Sequence, residues 1–294
     1  MALVFKNETF EQRALENDWA TFISPDKDLE ALHDPAEKHH FKQGLHGDFL
    51  AFRDKNPRFD AVIEKINSVR DSISYVEQCT EKYYFESFQV LEQCIPNIKH
   101  VVELGVFQGG ISTFFAGCLQ DTDITLDLVD GDRTFLEFTY ERIRRTFPRM
   151  CSRIRLFYGN LPTYVKKVMM AESPLKTLIH HDASHVFNEV LQDLVSLYFV
   201  RDRIQGLMIQ DTNLRANNIN GYMFVDAALY AAFGDRMQYL ELGEKHNDYT
   251  QVSTDNLWRG FFTPQHAEGM YIPFYEGLFR YPHPSSKFEE VFVT

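Results

Sequence analysis

The stretch HVVELGVFQGGISTFFAGCLQ, residues 100–120, decides the fold class. It starts with a short apolar run, passes through three glycines, and continues into a segment whose apolar residues have helical spacing. Gly105 permits a sharp turn, and Gly109 and Gly110 let backbone N–H groups at the start of the helix approach a ligand. We therefore expect a strand, a ligand-binding loop and a helix, which together form one unit of a larger sheet.

Further units of the same kind follow along the chain, because apolar runs that predict strands alternate with segments of helical spacing. The strand candidates are TLDLVD, RIRLFYG, LKTLIHHD and GLMIQD, and the helix candidates are FLEFTYERIRRTF, YVKKVMM, NEVLQDLVSLYFV and the segment around YMFVDAALYAAF. The alternation predicts an α/β fold with a doubly wound, Rossmann-like sheet that binds ligands at the carboxyl ends of its strands. Two later candidates, MQYLEL and LWRGFFT, are expected to pair antiparallel at one edge and complete seven strands.

The regions on either side of this pattern do not continue the alternation of strands and helices. Residues 1–80 include DAVIEKINSVRDSISYVEQC, whose helical spacing predicts a helical N-terminal extension or cap. Residues 81–264 form the predicted Rossmann-like catalytic domain. Residues 265–294 are rich in Phe and Tyr, and they either pack on the core or cover a pocket for an apolar or aromatic substrate.

Bulk composition narrows the class of partner. The 294 residues carry a formal net charge of −12, and an acidic surface repels phosphate backbones, so we expect a small-molecule substrate and no nucleic acid. The 4 cysteines form no CxxC pair, which is typical of buried, reduced thiols in the cytosol. The N-terminus does not resemble a signal peptide, and no run approaches the roughly 18 apolar residues of a membrane helix. We expect a cytoplasmic protein with no membrane partner, and a homo-oligomer, most simply a dimer.

A run of basic residues lies on and after the helix that follows TLDLVD. Its members are Arg142, Arg144, Arg145, Arg149, Arg153 and Arg155. We expect a solvated face near the end of the helix, where positive charge interacts favourably with the helix dipole. The alternative is an anion site or a subunit contact.

Polar residues stand at the ends of the first three predicted strands. Glu103 lies inside the end of the first strand, where its carboxylate favours a cationic group and repels a pyrophosphate. Asp130 ends the second strand and is placed to accept hydrogen bonds from ribose hydroxyls, with Asp132 as the other candidate. Asn160 follows the third strand and is a candidate for binding an adenine edge.

Two carboxylates follow the next two strands. Asp182 ends the fourth predicted strand and Asp211 ends the fifth, so the pair could share a hard cation such as Mg²⁺, which takes oxygen ligands. Such an ion would orient a substrate hydroxyl and lower its pKa, and a neighbouring imidazole could then take the proton. The alternative is that the two carboxylates orient substrate or cap loops without a metal.

His180 and His181 precede Asp182 in the same strand. We expect their side chains to point to opposite faces of the sheet, and one of them to be a buried, hydrogen-bonded histidine under a helix. His180-x-Asp182 also matches half of a two-His-one-carboxylate iron site, which would indicate an oxygenase with a β-rich jelly-roll fold. The alternation of strands and helices argues against that class.

Five motifs in this order, ELGVFQGG, VDGD, FYGN, HHDASHVFNEVLQDL and LMIQDT, resemble the class I S-adenosylmethionine (SAM)-dependent methyltransferases. Within them the chain is most similar to the group of macrocin-type O-methyltransferases and cephalosporin-hydroxylase-like proteins, over roughly Tyr83 to Phe233. The resemblance implies that Glu103 and the glycine loop hold the methionine part of SAM, that Asp130 holds the ribose, and that Asn160, where the family often has Asp, lies near the adenine. The residues expected around SAM are Glu103, Gly105, Phe107, Gly109, Gly110, Asp130, Asn160 and Asp182.

The segment HHDASHVFNEVLQDL is similar to the family segment DGDHSYEGVLRDL. The match places Asp182 and Asp211 at the two metal-binding aspartates, with Thr212 as a third metal position, and His185 at the histidine that is the general base in some members. The departures from the family are Ser184 in place of an acid, Gln210 where metal-dependent members often have Asp or Glu, and Thr212 where catechol-type enzymes have Asn. These departures leave metal dependence open.

The function that the resemblance implies is SN2 transfer of the SAM methyl group to a hydroxyl of a small, natural-product-like molecule. Asp182 and His185 are the expected catalytic residues, and SAM and Mg²⁺ are the expected cofactors. One alternative is a metal-independent N-methyltransferase. Another is a catalytically inactive SAM-fold protein that serves as a partner subunit, which Gln210 and Thr212 keep open.

Overall fold

The computed structural model describes residues 19–25, 49–69, 79–218, 221–251 and 260–279. Its helices are α1 (Pro57–Val69), α2 (Glu81–Cys94), α3 (Gly110–Leu119), α4 (Arg133–Thr146), α5 (Leu161–Tyr164), α6 (Phe187–Ser196) and α7 (Val225–Phe233). A π-helical segment, Val165–Met169, continues α5. Short 3₁₀ segments follow α2, α4 and α6 at Ile95–Asn97, Pro148–Arg153 and Leu197–Arg203.

Twelve strands form two sheets in the described part of the chain. The first six are β1 (Thr21–Ile23), β2 (His100–Leu104), β3 (Thr125–Asp130), β4 (Ile154–Tyr158), β5 (Thr177–His181) and β6 (Ile204–Gln210). The others are β7 (Leu214–Asn218), β8 (Gly221–Met223), β9 (Leu240–Leu242), β10 (Thr250–Gln251), β11 (Phe261–Phe262) and β12 (Gly269–Pro273).

The central sheet has the strand order β1-β4-β3-β2-β5-β6-β12-β9. The five strands from β2 to β6 run parallel to one another. Every residue of β2 and of β5 is buried, because helices cover both faces of the sheet. The doubly wound, mostly parallel sheet predicted from the sequence is confirmed.

The strand order reverses at β2, and this reversal positions the site. The chain moves outward from β2 through β3 and β4, then crosses back to build β5 and β6 on the other side. A crevice forms at such a switch point, at the carboxyl ends of the strands. The loops after β2, β3, β5 and β6 therefore meet at the carboxyl ends of the strands, where the sequence places its polar residues.

The outer strands differ from the prediction. MQYLEL does supply β9, but β9 pairs antiparallel with β12, and β12 in turn pairs antiparallel with β6. LWRGFFT instead supplies β11 of a separate four-stranded sheet with the order β10-β11-β7-β8, so the prediction that it closes the central sheet is wrong. β12 occupies the position next to β6 instead. Gly269 of β12 leaves space for the Tyr83 ring, since a Cβ at this position would lie 2.6 Å from Cε2 of Tyr83. At the other edge β1 pairs antiparallel with β4, which gives eight strands where the sequence predicts seven.

The flanking regions agree with the prediction only in part. Within residues 1–80, α1 is helical as expected, but Thr21–Ile23 is a strand of the central sheet; residues 1–18, 26–48 and 70–78 lie outside the described residues. Within residues 265–294, β12 belongs to the central sheet, Phe274 and Phe279 pack on the core, and residues 280–294 lie outside the described residues. YMFVDAALYAAF is helical only from Val225, because its first residues continue β8, which pairs with β7.

Two apolar cores flank the central sheet. One lies between the sheet and α1 to α4 and includes Phe59, whose ring centroid is 5.5 Å from that of Phe88 and 5.9 Å from that of Phe114. The other lies between the sheet and α5 to α7. Since each fully buried large apolar side chain contributes about 1.5–3 kcal/mol, these layers give the strand ends a rigid base.

The prediction of a solvated basic face holds for only half of the run, at Arg144, Arg145 and Arg149. Arg142 is only 1% exposed and donates to the Gln108 carbonyl at 2.6 Å. Arg153 donates to carbonyls at the end of α3 and beyond, and Arg155 binds both carboxylate oxygens of the buried Asp127. These arginines bind the backbone and a buried acid, which the charge pattern alone does not reveal.

Cys79, Cys94 and Cys118 are buried, as predicted, whereas Cys151 is partly exposed. In the part of the chain that the structure describes, no helix combines the length and the apolar character that a membrane crossing requires.

Candidate active site

The glycine-rich loop between β2 and α3 turns sharply at Gly105. This residue has φ +79°, and a Cβ on it would lie 2.2 Å from the carbonyl oxygen of Asp182. The Asp182 N–H in turn donates to the Leu104 carbonyl at 2.8 Å. The loop after β2 and the loop after β5 therefore touch through their backbones, and only glycine fits at position 105.

The loop enters α3 through two further residues in the left-handed region. Phe107 has φ 44°, and Gly109, the N-cap of α3, has φ 74°. The Phe107 ring packs on Phe135 of α4, with a centroid distance of 5.0 Å. A non-glycine residue in this region costs about 1–2 kcal/mol, and such residues cluster at ligand sites. The first N–H groups of α3 have no carbonyl partner within the helix, which suits an anionic group.

Asp130, at the end of β3, ties the glycine loop to the sheet. Its Oδ2 accepts from the Val106 N–H at 2.8 Å and its Oδ1 accepts from the Asp132 N–H at 2.7 Å. Burial raises the pKa of Asp130 to about 6, although these backbone donors oppose the rise. Asp132 is exposed and caps α4 by accepting from the Thr134 N–H at 2.8 Å. Of the two predicted candidates, Asp130 is therefore the one that contacts the loop.

Asn160 lies after β4 and caps α5. Its Oδ1 accepts from the Thr163 N–H at 3.0 Å and from the Thr163 hydroxyl at 2.8 Å. The Asn160 N–H donates back to the Thr163 hydroxyl at 3.2 Å, which completes a capping box. The amide NH₂ is the remaining polar group of this side chain, and the predicted contact with adenine stays a prediction.

Asp182, His185 and Asp211 come together at the ends of β5 and β6. The His185 Nε2 lies 2.9 Å from Asp211 Oδ2 and 3.4 Å from Asp182 Oδ1. One potential ligand atom from each of the three residues lies within 4.8 Å of the others. The His185 side chain is 5% exposed, whereas those of Asp182 and Asp211 are 24% and 18% exposed. The cluster is therefore open to solvent on its carboxylate side, and the imidazole lies behind.

The two carboxylates control the protonation of His185. Burial lowers the pKa of His185, but the charges of Asp211 and Asp182 outweigh burial and raise the pKa to about 10. Burial raises the pKa of Asp182 to about 6, and the nearby Asp211 acts in the same direction. At neutral pH the imidazole is therefore a cation between two carboxylates, and in the resting protein it has no lone pair with which to take a proton.

Gln210 and Thr212, on either side of Asp211, bind the segment that leads into β12. Thr212 is fully buried, and its hydroxyl donates to the Ala267 carbonyl at 2.8 Å. The Gln210 amide nitrogen lies 3.4 Å from Oε1 of Glu268. These contacts fix the end of β6, and the role of Thr212 as a metal ligand stays a prediction.

His180 and His181 point to opposite faces of the sheet, as predicted. His181 Nε2 lies 2.9 Å from Asp193 Oδ2 of α6, which makes it the buried, paired histidine that the sequence predicts. His180 is fully buried on the other face, its Nε2 lies 2.8 Å from the Tyr83 hydroxyl, and burial lowers its pKa to about 3. Within the described residues the cluster of potential metal ligands contains His185 and neither of these histidines, so the geometry gives no support to the iron-oxygenase alternative.

Sequence reasoning missed Glu268, a buried acid next to the cluster. Its Oε1 accepts from the Thr80 N–H at 3.0 Å, and its carboxylate also accepts from the Thr80 hydroxyl. Burial raises the pKa of Glu268 to about 8, and the charge of Asp211 contributes to the rise. The one signal in the sequence was an acid directly before the apolar run GMYIP, which resembles no motif.

The small four-stranded sheet is joined to the cluster through the backbone. The Phe224 N–H donates to the His185 carbonyl at 3.2 Å, and the Leu214 N–H donates to the Asp211 carbonyl at 3.1 Å. Exposed aromatic side chains lie on or next to this sheet, at Tyr222, Tyr249 and Phe261. A cover over an apolar or aromatic substrate, predicted for the aromatic C-terminal segment, stays a prediction, and part of that segment lies outside the described residues.

Comparisons with solved structures find distant similarities, among them three O-methyltransferases. No protein-family model matches the sequence, and no curated protein matches it either. An O-methyltransferase from Bacillus cereus in complex with S-adenosyl-homocysteine (SAH) is 11% identical to this chain. The similarity covers 84% of this chain and 100% of that chain, with a TM-score of 0.45. The O-methyltransferase TomG from Streptomyces achromogenes, involved in tomaymycin synthesis and solved with SAM, is 10% identical, with coverages of 85% and 100% and a TM-score of 0.45. CalS11, a TDP-rhamnose 3′-O-methyltransferase of calicheamicin biosynthesis, is 12% identical, with coverages of 78% and 99% and a TM-score of 0.44.

Similarities at this level carry no argument of their own. The Rossmann-like fold is defined by the strand order and the parallel pairings of the central sheet. The macrocin-type and cephalosporin-hydroxylase-like group stays a prediction from the sequence motifs.

Proposed function

We propose that this chain is a SAM-dependent methyltransferase that methylates a hydroxyl group of a small, natural-product-like molecule. The observation that carries the proposal is that the glycine loop and the loop after β5 meet at the carboxyl ends of the strands. The glycine loop, held by Asp130, touches the start of the loop that carries Asp182 and His185 through the close approach at Gly105. The predicted cofactor loop and the polar cluster are thus parts of a single site.

The residues present fit SAM by the chemistry of their donor and acceptor groups. When bound, SAM supplies an electrophilic methyl group on a positively charged sulfur. The carboxylates of Glu103 and Asp182 suit its positive groups, the N–H groups at the start of α3 suit its carboxylate, and Asp130 keeps lone pairs for ribose hydroxyls. The residues proposed to hold SAM are Glu103, Gly105, Phe107, Gly109, Gly110, Asp130, Asn160 and Asp182.

The cluster supplies the groups that bind and deprotonate the acceptor. We place the acceptor hydroxyl against Asp182 and Asp211, which form the solvent-open side of the cluster. One of these carboxylates accepts the hydroxyl proton, and the charged imidazole of His185 stabilises the oxygen anion that results. The general-base role that the resemblance implies for His185 is thus modified, because the ring can accept a proton only after it has lost its own.

The three side chains do not fit Mg²⁺ in their present arrangement. Mg²⁺ prefers an octahedron of oxygen ligands, whereas the third group here is an imidazole nitrogen 2.9 Å from Asp211. Imidazole is a ligand for ions such as zinc, iron or nickel, whereas Mg²⁺ takes carboxylate, carbonyl and water oxygens. For this reason no step of the proposed mechanism passes through a metal.

Calorimetric titration of the full chain with SAM, in buffers with Mg²⁺ and with EDTA, tests the cofactor and the metal together. We expect a micromolar Kd, which corresponds to about −8 kcal/mol, in both buffers. Asp130→Asn should weaken binding at least about tenfold, because it removes the negative charge that is proposed to bind the ribose hydroxyls, whereas the matched variant Asp132→Asn should not. If the wild-type chain binds no SAM in either buffer, the protein is an α/β binding module of another kind.

Turnover separates the remaining alternatives. Formation of SAH is measured with panels of phenols, sugar hydroxyls and amines, and we expect methylation of hydroxyls that persists in EDTA. Methylation of amines alone would indicate an N-methyltransferase, and SAM binding without turnover would favour a partner protein. His185→Ala should lower turnover while the Kd for SAM stays within about twofold, because the ring acts on the acceptor.

A further inference from the structure

Two buried residues outside the cluster, Tyr83 of α2 and His180 of β5, are linked to each other, and His180 lies next to Glu103. Both are 0% exposed. The Tyr83 hydroxyl lies 2.8 Å from His180 Nε2, and His180 Nδ1 lies 3.8 Å from Glu103 Oε1. Glu103 and His180 are directly opposite each other in the register of β2 and β5. The three side chains form a row from α2 to the proposed SAM site.

One arrangement of hydrogens serves both contacts of His180. A carboxylate only accepts hydrogen bonds, so the tautomer with the hydrogen on Nδ1, which faces Glu103, is the favourable one. Nε2 then accepts from the Tyr83 hydroxyl, which in this way selects the tautomer of His180. At 3.8 Å the Nδ1–H group acts on the carboxylate through its charge distribution and not through a full hydrogen bond.

The position of Tyr83 is fixed from several sides. Gly269 leaves space for the ring, because a Cβ there would lie 2.6 Å from Cε2 of Tyr83. The Tyr83 N–H donates to the Thr80 hydroxyl at 3.2 Å, and Thr80 is itself bound to Glu268. On the far side of His180, the Phe115 ring lies 5.2 Å from the imidazole, centroid to centroid. The hydroxyl of Tyr83 is therefore held at His180 by the surrounding structure.

We propose that Tyr83 and His180 are positioning residues that orient the Glu103 carboxylate toward the ammonium group of SAM. This inference rests on the proposed function. It gives α2, a helix that precedes the first motif of the sequence, a part in binding the amino-acid portion of the cofactor. Tyr83 acts on Glu103 through His180, so we expect its effect to be largest on that portion.

A comparison of two ligands tests this role. SAM contains the amino-acid portion, whereas 5′-methylthioadenosine has the same adenosine without it. Tyr83→Phe should raise the Kd for SAM roughly fivefold, as expected for the loss of one buried hydrogen bond, and leave the Kd for 5′-methylthioadenosine within about twofold. The matched control is Tyr164→Phe, which removes another fully buried hydroxyl, bound to Asp127, and should leave both Kd values within about twofold.

Either an unchanged Kd for SAM or equal losses for both ligands in Tyr83→Phe would overturn the inference. If that variant does not fold, two variants of His180 decide. His180→Asn keeps an N–H group close to the position of Nδ1 and His180→Leu does not, so the asparagine variant should bind SAM at least about threefold more tightly; equal affinities would overturn the role. A wild-type chain that binds no SAM would instead refute the proposed function, and this inference with it.

Discussion

Replacing Asp211 by asparagine removes the nearer of the two charges that keep His185 protonated. Oδ2 of Asp211 lies 2.9 Å from His185 Nε2, whereas Oδ1 of Asp182 lies 3.4 Å away. In the wild type the pKa of His185 is raised from 6.5 to about 10. A charge-assisted hydrogen bond contributes about 1.5–3 kcal/mol, which corresponds to about 1 to 2 pH units. We therefore expect a pKa of about 8 to 9 for His185 in Asp211→Asn, since Asp182 remains.

Nuclear magnetic resonance of protein with ¹³C-labelled histidine rings measures this pKa directly. The wild-type signal of His185, assigned with His185→Gln, should show the charged ring at every pH below about 9, and the signal of Asp211→Asn should titrate earlier. The matched control is Asp193→Asn, which removes a carboxylate at the same distance of 2.9 Å from His181 on the other face of the sheet. That substitution should leave the pKa of His185 unchanged.

A wild-type pKa between about 6 and 7 would refute the reasoning. His185 would then be neutral at physiological pH and available as the general base that the resemblance implies. Stability provides a second check. Because the folded state raises the pKa of His185, its contribution to stability is complete below about pH 6.5 and is lost as the pH rises through about 10. Asp211→Asn should therefore lower the free energy of unfolding at pH 7.

Three further substitutions test the framework of the site, each by urea denaturation. Gly105→Ala should lower the free energy of unfolding by about 2–4 kcal/mol, because the new Cβ meets a backbone carbonyl and φ is positive; a loss below about 1 kcal/mol would contradict the close approach. Thr80→Ala should cost about 1–2 kcal/mol through the lost helix cap, and no loss would contradict that role. The folded state raises the pKa of Glu268 from 4.5 to about 8, so it keeps a proton that the unfolded chain releases, and wild-type stability should fall as the pH rises between these values. Glu268→Gln should reduce that fall, and an unchanged slope between pH 5 and pH 8 would refute it.

The alternating pattern of the sequence was sufficient to predict β2 to β6, because buried parallel strands are apolar runs separated by helices. It was not sufficient for the outer strands. LWRGFFT and GMYIP are both short and rich in apolar residues, and nothing local decides which of them joins the central sheet. Contacts far apart in the chain decide it, such as the fit of Gly269 against Tyr83.

The sequence predicted which residues come together at the candidate site, but it did not predict their protonation states. Motif positions identified Asp182, His185 and Asp211, which the structure brings together. The charged state of His185 depends on two distances across adjacent strand ends, which no spacing in the sequence encodes. Glu268 was missed for a related reason, since an acid becomes part of a site only when folding buries it beside other polar groups.

The position of β12 between β6 and β9 has a consequence for synthesis of the protein. A ribosome makes β6 long before residues 269–273, so the growing chain displays β6 as an unpaired edge whose residues are almost all buried in the finished protein. Such an edge invites pairing with other chains. Asp211 lies at the end of this strand, and its neighbour Thr212 binds residues 267 and 268. The carboxyl end of the sheet that carries the candidate site is therefore completed only after residues 269–273 have been synthesised.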